Sequence, residues 1–253
     1  MDLPFVALLV IGLLVAGGVA YAAYHRHKRT EESLQRLLDR DPRLQRTLTP
    51  CGLGPDSLAG TYEATPRGDR RYGVRYGVAG PLAVPVAGAD VDVECASFQW
   101  WYERRRTTSD KNGTRTHYER QTTPVTMLRL PVHVPTRVRL SPESMLGRVG
   151  LTHGDHQLES SEFNRRFKVE ARDRLLVVQL LDAGLQQRLT EDFQGRSIEV
   201  AGDLLVLGGR PEHRDASLTG VVGHLPAMRQ DVRRLLDAVP AQFWRAVGRD
   251  RRG

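Results

Sequence analysis

The spacing of hydrophobic residues divides this chain into three parts. An unbroken apolar run comes first, from Leu3 to Tyr24, and it contains no charged residue. Between about residue 60 and residue 140, apolar and polar residues alternate, which is the period of β-strands. In the last third, apolar residues recur three and four positions apart, which is typical of helices. The pattern predicts an α+β fold: one N-terminal transmembrane helix, then a β-rich domain, mainly antiparallel sheet, with two packing helices near the C-terminus.

The apolar run predicts a membrane anchor at residues 1–24. Its 22 residues would form a helix about 33 Å long, which is enough to cross a hydrocarbon core of about 30 Å. The basic cluster from His25 to Arg29 favours the cytoplasmic side of the membrane. We therefore expect a single-pass protein of the plasma membrane, with its N-terminus outside and its soluble domain cytoplasmic. The lipid bilayer is then the partner of Leu3 to Tyr24.

Two other interpretations of this run remain open. The first is a cleaved signal peptide, because Ala20-Tyr21-Ala22 resembles a small-residue cleavage site, although no basic segment precedes the run. The second adds a homodimer, because Gly12, Ala16 and Ala20 share one helix face. Small residues at that spacing let two membrane helices approach closely.

Two pairs of residues predict turns, and two prolines predict a break. Asn112-Gly113 is typical of a tight turn between two strands, and Gly202-Asp203 predicts a second hairpin between residues 197–200 and 204–207. Pro131 and Pro135 cannot donate to a β-ladder, so the strand that contains them is expected at a sheet edge or broken there.

The apolar positions change face near Ala96-Ser97, within a strand predicted at residues 91–102. A β-bulge inserts one residue and turns the following side chains to the other face. The pattern therefore predicts a bulge at this point.

Helical spacing defines the segments on either side of the β-rich part. Residues 30–40 are predicted to form an amphipathic helix with leucines on one face, ending at Asp41-Pro42 before a further helix. This helix is expected to dock on its own domain; lying on the membrane or binding a partner are the alternatives. Asp173 is a candidate N-cap, and Pro240 should divide the last helix. The predicted boundaries are a juxtamembrane segment at 25–49, an α+β domain at 50–248 and a basic tail at 249–253.

Charge and cysteine content narrow the partners and the compartment. The chain has a formal net charge of +7. A basic domain beside an anionic leaflet is electrostatically favourable, so an anionic lipid or a membrane protein is the expected class of partner. Cys51 and Cys95 lack metal-type spacing, and in the cytosol they should be free thiols; outside it they could form one disulfide.

Candidate catalytic chemistry is sparse. His153, Asp155 and His156 form the densest group of potential metal ligands, but a zinc site needs further ligands at fixed geometry, and a polar loop is the alternative. The motifs of zinc proteases, phosphate-binding loops and serine hydrolases are absent from the sequence. We therefore predict no cofactor, and a binding, scaffold or accessory module rather than an enzyme. The alternatives are a metal-dependent enzyme around residues 153–156 and a domain that binds anionic lipid.

Aromatic residues beside arginines suggest a further partner. Residues 98–102 are rich in Phe, Trp and Tyr, and three arginines follow at 104–106. Such a surface can stack bases and neutralise phosphates. The aromatic residues are expected to serve a sheet face instead, and the arginines to begin a solvated hairpin, so nucleic acid is not an expected partner.

One motif in the second half is distinctive. Phe163 and Phe167 are expected to meet in the core, and Glu162 to pair with Arg165 or Arg166. With Leu180-Leu181-Asp182 downstream, the motif resembles a family of uncharacterised actinobacterial membrane proteins, which carry a domain of unknown function behind N-terminal membrane helices. The resemblance implies the fold and membrane association but no activity. The motif residues are predicted to be structural: Glu162, Phe163, Asn164, Arg166, Phe167 and Val169.

Overall fold

The computed structural model describes residues 3–54, 71–110, 113–142, 158–209 and 218–249. Its elements in chain order are α1 (Leu3–Arg40), β1 (Gln45–Thr47), a 3-10 turn (Pro50–Gly52), β2 (Tyr72–Val86), β3 (Ala89–Asp110), β4 (Gly113–Pro142), α2 (Ser161–Arg166), β5 (Phe167–Ala171), α3 (Arg174–Leu180), α4 (Ala183–Asp192), β6 (Ile198–Gly208), α5 (Leu218–Asp237) and α6 (Ala241–Arg249).

Strand β4 is the centre of the sheet. The strand order is β1-β2-β3-β4-β5, and β6 also pairs with β4. Near Val138, β4 is paired with β5 and β6 at once, so these two strands lie on opposite sides of it. All these pairings are antiparallel, so the α+β part of the predicted fold agrees with the structure. The prediction of two packing helices near the C-terminus falls short, because five helices, α2 to α6, follow β4 among the described residues.

The prediction of a transmembrane helix is wrong. Among the residues that the structure describes, no helix combines the length and hydropathy needed to cross a membrane. The apolar run does not form a helix of its own, because α1 continues from Leu3 through the charged segment to Arg40.

The second half of α1 docks on the domain, as predicted. Thr30 and Leu34 are buried, and Leu34 packs with Tyr76, Val78 and Met228. The helix ends at Arg40, as the Asp41-Pro42 pair predicts, but the short strand β1 follows where a further helix was expected.

The hairpin predicted at Asn112-Gly113 is confirmed. Asp110 pairs with Gly113, so only two residues separate β3 from β4. Gly113 has a φ of 121°, which glycine adopts at little cost. From this turn the two strands pair without a break as far as Cys95 and Leu128.

The bulge lies in β2 and not in β3. The register between these strands shifts between Arg75 and Val78, so Tyr76 and Gly77 together occupy the place of one residue. Tyr76 takes the left-handed conformation, with a φ of 48°. Strand β3 is buried on both faces from Cys95 to Trp100, and this double burial explains the apolar pattern that resembled a change of face.

The predicted hairpin at Gly202-Asp203 is wrong, because both halves pair with β4 as one strand, β6.

The strand that holds Pro131 and Pro135 is predicted to lie at a sheet edge or to be broken at the prolines, and the second alternative is the one observed. Strand β4 is central, but its register with β6 shifts on both sides of Val134. Pro131 and Pro135 lie in these two interruptions, where their missing N–H groups remove no ladder bond.

Two apolar clusters cover the two faces of the sheet. The larger one packs the sheet against α2 to α6 and includes Cys95, Leu128 and Phe243. The smaller one lies on the reverse face, where Cys51 packs with Phe98, Trp100 and Met127. Local chemistry sets the helix ends as predicted: the Asp173 carboxylate accepts from the Leu176 N–H, and Pro240 separates α5 from α6.

A buried ion pair links the sheet to α5. Arg196 precedes β6, and its Nη1 lies 2.7 Å from the Asp231 carboxylate on α5. Its Nε donates to the carbonyl of Gly208 at the other end of β6. Both charged side chains are almost fully buried, and Arg196 depends on Asp231 for compensation, whereas Asp231 also lies 3.8 Å from the half-exposed Arg234.

We expect Asp231→Asn to lower the free energy of unfolding by about 3–5 kcal/mol, because it leaves the Arg196 charge buried without its counter-ion. Urea unfolding of the two proteins measures the difference. The matched control is Asp90→Asn, which removes a half-exposed partner of Arg233 and should cost less than about 1 kcal/mol. Equal losses in the two variants would contradict the assignment.

The two cysteines are free thiols, as predicted for the cytosol. Cys51 and Cys95 lie in different clusters on opposite faces of the sheet. Burial raises the pKa of Cys51 to about 12 and that of Cys95 to about 11. The folded protein therefore keeps these protons at pH values where unfolded thiols, with a pKa of about 8.5, have lost them.

The sign of this linkage predicts a loss of stability at alkaline pH. Above about pH 9 the unfolded state binds fewer protons than the folded state, so each buried thiol costs about 1.4 kcal/mol per pH unit until its folded pKa is passed. Between about pH 9 and pH 11, we expect the free energy of unfolding of Cys51→Ala to rise relative to that of the unmodified protein by about 1.4 kcal/mol per pH unit. Urea unfolding at several pH values tests this, and a difference that stays constant with pH would contradict it.

Candidate interaction surfaces

The motif of residues 162–169 builds one corner of the core. The Ser160 hydroxyl caps α2 by accepting from the Phe163 N–H. Phe163 and Phe167 are fully buried, and their rings stack with centroids 5.2 Å apart, so the two phenylalanines meet as predicted. Val169 follows on β5, where it is buried opposite Leu140.

The polar residues of the motif hold the chain around α2. The Asn164 side chain accepts from the Leu158 N–H at 3.1 Å and donates to the Leu158 carbonyl at 2.6 Å. Glu162 pairs with Arg166 at 2.9 Å, which is one of the two predicted pairings. Arg166 also donates to Gln194. These contacts fix the segment that enters α2, and this segment forms one wall of a cleft.

The cleft lies between α2, α3 and α4 and has a volume of about 930 Å³. Its apolar floor and wall include Leu158, Val177, Val178 and Leu181. The polar residues that line it are Glu159, Ser160, Glu162, Arg174, Asp182, Gln186, Gln187, Thr190, Glu191 and Gln242.

The rim of the cleft is acidic. Among the described residues that line it, four are carboxylates, at positions 159, 162, 182 and 191, and one is an arginine, Arg174. Asp182 is occupied as the N-cap of α4, where it accepts from the Leu185 N–H, and Glu162 is paired with Arg166. Glu159 and Glu191 are exposed, and Glu191 accepts a hydrogen bond from the Gln187 side chain at 2.8 Å. Both carboxylates face solvent and can accept further donors from a ligand.

Gln186 lies in the cleft with an unused acceptor. Its Nε2 donates to the Leu181 carbonyl at 2.7 Å, whereas its Oε1 is buried and accepts no hydrogen bond. The residue is 93% buried, since its exposed fraction is 7%. An unpaired buried acceptor costs the fold about 1–3 kcal/mol, and because this oxygen is enclosed it is not exposed to the cleft itself.

A second surface is the first part of α1. From Ile11 to Val19 the large apolar side chains are between 57% and 70% exposed. A side chain added at Gly12 would meet no atom of the described residues within 4 Å, so the helix face of Gly12, Ala16 and Ala20 is open. The dimer through this face stays a prediction. A 2.8 Å hydrogen bond between the His27 ring and the Tyr76 hydroxyl attaches α1 to the domain.

A third surface is the ribbon of residues 104–119, where β3 and β4 extend beyond β2. Its sequence holds five Lys or Arg and two Asp or Glu, a net charge of +3. The described side chains along it are exposed, including Arg105 and Arg115. At its base, the Arg120 guanidinium lies 4.4 Å from the centroid of the Trp101 ring.

The aromatic residues before the ribbon do not form a base-stacking surface. Phe98 and Trp100 are buried in the reverse-face cluster, as expected for a sheet face, and the Trp101 ring is covered by Arg120. The arginines at 105 and 106 are solvated. This arrangement matches the predicted sheet face and hairpin.

The ribbon and the apolar part of α1 leave the domain at the same end. His27 contacts Tyr76, near the start of β2. Leu37, later in α1, shares a groove with residues 81 and 82, which lie further along β2. Followed toward its N-terminus, α1 therefore runs in the direction of the start of β2. Tyr72 at that start pairs with Tyr102, and β3 continues past it as the ribbon. An apolar helix and a basic arm therefore project from one side.

The candidate metal ligands His153, Asp155 and His156 lie outside the described residues. Within the described ranges, no group of three or more His, Cys, Asp or Glu side chains could hold a metal ion. The motif at residues 162–169 contributes one wall of the cleft, but no sequence pattern points to Gln186 or to the cleft itself. The carboxylates at 159, 162, 182 and 191 are the residues that could have indicated an acidic cleft, but they are too far apart in the sequence to be recognised as one group.

Comparison with known proteins identifies no family. No protein-family model matches the chain, and no curated protein matches its sequence. A solved structure that aligns with it is the crystal structure of the mycobacterial trehalose monomycolate transport factor A, TtfA, at 9% sequence identity and a TM-score of 0.45. The alignment covers 85% of this chain and 96% of that chain. At this TM-score the similarity supports no inference about fold or function.

Proposed function

We propose that this protein is an accessory binding protein that associates with an anionic lipid surface through α1 and the ribbon. The observation that carries the proposal is the exposed apolar part of α1, positions 11–24, which projects from a well-packed domain. Monomeric soluble proteins rarely expose a contiguous apolar patch of this kind, and such patches mark protein or membrane contacts.

The apolar side chains supply the binding energy. Ile11, Leu13, Leu14, Val15 and Val19 are all more than half exposed. Burying one such side chain contributes about 1.5–3 kcal/mol, so the five together contribute on the order of 10 kcal/mol before the loss of motion is subtracted. Tyr21 and Tyr24 follow on α1, and amphipathic rings of this type favour the membrane–water interface.

The ribbon supplies the preference for negative charge. It projects from the same end as the apolar helix, so a surface that takes up one lies close to the other. Each Lys or Arg near an anionic leaflet contributes about 1 kcal/mol, and salt screens that contribution. Arg105 and Arg115 are exposed on the ribbon and free to approach lipid headgroups.

The cytosolic side of the plasma membrane is the proposed location. The basic cluster of residues 25–29 lies directly after the apolar residues, where the anionic cytoplasmic leaflet would meet it. The two free, buried thiols support the same side, since reducing compartments keep cysteines unpaired.

The first test is flotation of the full chain with vesicles of phosphatidylcholine mixed with phosphatidylglycerol. We expect the protein to float with the vesicles, and Leu13→Gln with Leu14→Gln to abolish flotation because it removes the most exposed apolar side chains of α1. The matched control is Leu48→Gln with Leu175→Gln, two leucines that are similarly exposed elsewhere. Equal flotation of both double variants would contradict the role of α1.

The second test separates charge from apolar burial. We expect Arg105→Gln with Arg115→Gln to weaken binding to the anionic vesicles by roughly 30-fold at low salt, from about 1 kcal/mol per residue, and to leave binding to phosphatidylcholine alone unchanged. Arg188→Gln with Arg234→Gln changes the net charge equally, away from the ribbon. If this control loses as much binding, general charge and not the ribbon is responsible.

A further inference from the structure

We propose that the cleft between α2, α3 and α4 is a docking groove for a basic amphipathic helix of a partner protein. This inference is independent of the proposed lipid association, because the cleft is built from other elements than α1 and the ribbon. It rests on the apolar surface and the charge of the cleft.

The apolar surface is larger than the domain needs. Helix α3 has apolar residues at five of its seven positions. Leu176, Val177 and Leu180 are buried in the core, whereas Leu175 and Val178 are 67% and 52% exposed on the opposite side. A helix with apolar residues on both sides is normally buried on both sides by other parts of the protein or by a partner. Val178 lines the cleft, so an occupant of the cleft would bury it and extend over Leu175.

The charge of the rim selects a basic occupant. In the described part of the chain the cleft is lined by four carboxylates and one arginine, although the whole chain has a net charge of +7. Complementary potentials across an interface speed encounter and exclude partners of like charge. The rim therefore favours lysines and arginines, and it disfavours a second copy of this basic chain.

The exposed carboxylates fit the same occupant. Glu159 is exposed, and Glu191 is exposed although it accepts from the Gln187 Nε2 at 2.8 Å, so both carboxylates have room for further donors. Lysine and arginine side chains carry only donors. An amphipathic helix can place them on both flanks of an apolar stripe, with anchors at three- and four-residue spacing that enter the groove.

The volume and extent of the surface favour a helix over a small molecule. The cleft alone, at about 930 Å³, is near the upper end of ligand pockets. Leu175 lies outside its lining, so the apolar surface continues beyond the cleft. A compact ligand would leave Leu175 uncovered, whereas a helix of several turns would cover it.

The experiment measures the binding of fluorescent model helices to the full chain by anisotropy, without lipid. One peptide is built from leucine and lysine, and its partner has glutamate at every lysine position. We expect the lysine peptide to bind and the glutamate peptide not to bind. Equal binding of both, or no binding of the lysine peptide, would overturn the proposal.

Variants place the binding in the cleft. We expect Glu159→Gln with Glu191→Gln, and separately Leu175→Ser with Val178→Ser, to weaken the lysine peptide by about tenfold or more. All four side chains lie at the surface, so the variants should fold. The charge control is Glu32→Gln with Glu94→Gln, two exposed glutamates outside both surfaces, and the apolar control is Leu48→Ser. Losses as large in the controls would show unspecific adsorption and overturn the proposal.

A final arm separates a helix from its charged groups alone. Free arginine amide should not displace the bound lysine peptide at concentrations that leave ionic strength unchanged. Displacement by arginine amide would show that the cleft binds a small cation, and this result would overturn the docking of a helix. A peptide of the same composition with its apolar stripe scrambled should bind at least about tenfold more weakly.

Discussion

The structure depends on β4 being paired along both of its edges. Strand β3 covers one edge of its first half, β5 continues on the same side, and β6 covers the opposite edge. Unpaired backbone groups in a buried strand are costly, so three segments far apart in the chain have to meet here. Pro131 and Pro135 fit because β4 has extra residues at both interruptions of its ladder with β6. The helices then pack against the face that this pairing creates.

The same sheet sets the direction of the exposed parts. Because β2 and β3 are antiparallel and α1 lies along β2, the apolar helix and the basic ribbon leave the domain together. The acidic cleft is formed by other elements, α2 to α4. A chain with net positive charge thus presents an apolar and basic side, suited to an anionic lipid surface, and a separate acidic groove, suited to a basic protein segment. Its two thiols are buried and protonated, so they take no part in either surface.

Features that depend on near neighbours in the chain follow from the sequence. The Asp173 cap, the turn after Asp110, the division of the last helix at Pro240 and the contact of Phe163 with Phe167 are all set within a few residues. Each involves a side chain or proline acting on backbone one turn away. The α+β fold also follows, since strand and helix periods are properties of single segments. The wrong predictions share the opposite property: the hairpin at Gly202 was lost because β4, more than 60 residues earlier, pairs with both of its halves.

Several features can be read from the sequence: the helical and extended periods, the positive charge and the motif that closes one corner of the core. The folded chain shows that the two thiols lie on opposite faces of the sheet, that the apolar start of α1 belongs to one helix with its charged second half, that the bulge lies at Tyr76 and Gly77, and that β3 is covered on both faces. It also decided the cleft, where Glu159, Gln186 and Glu191 come together. Burial and strand pairing arise between segments that are distant in the chain. Hydrophobic periodicity shows which face of a segment is buried, but it does not show which other segment packs against that face.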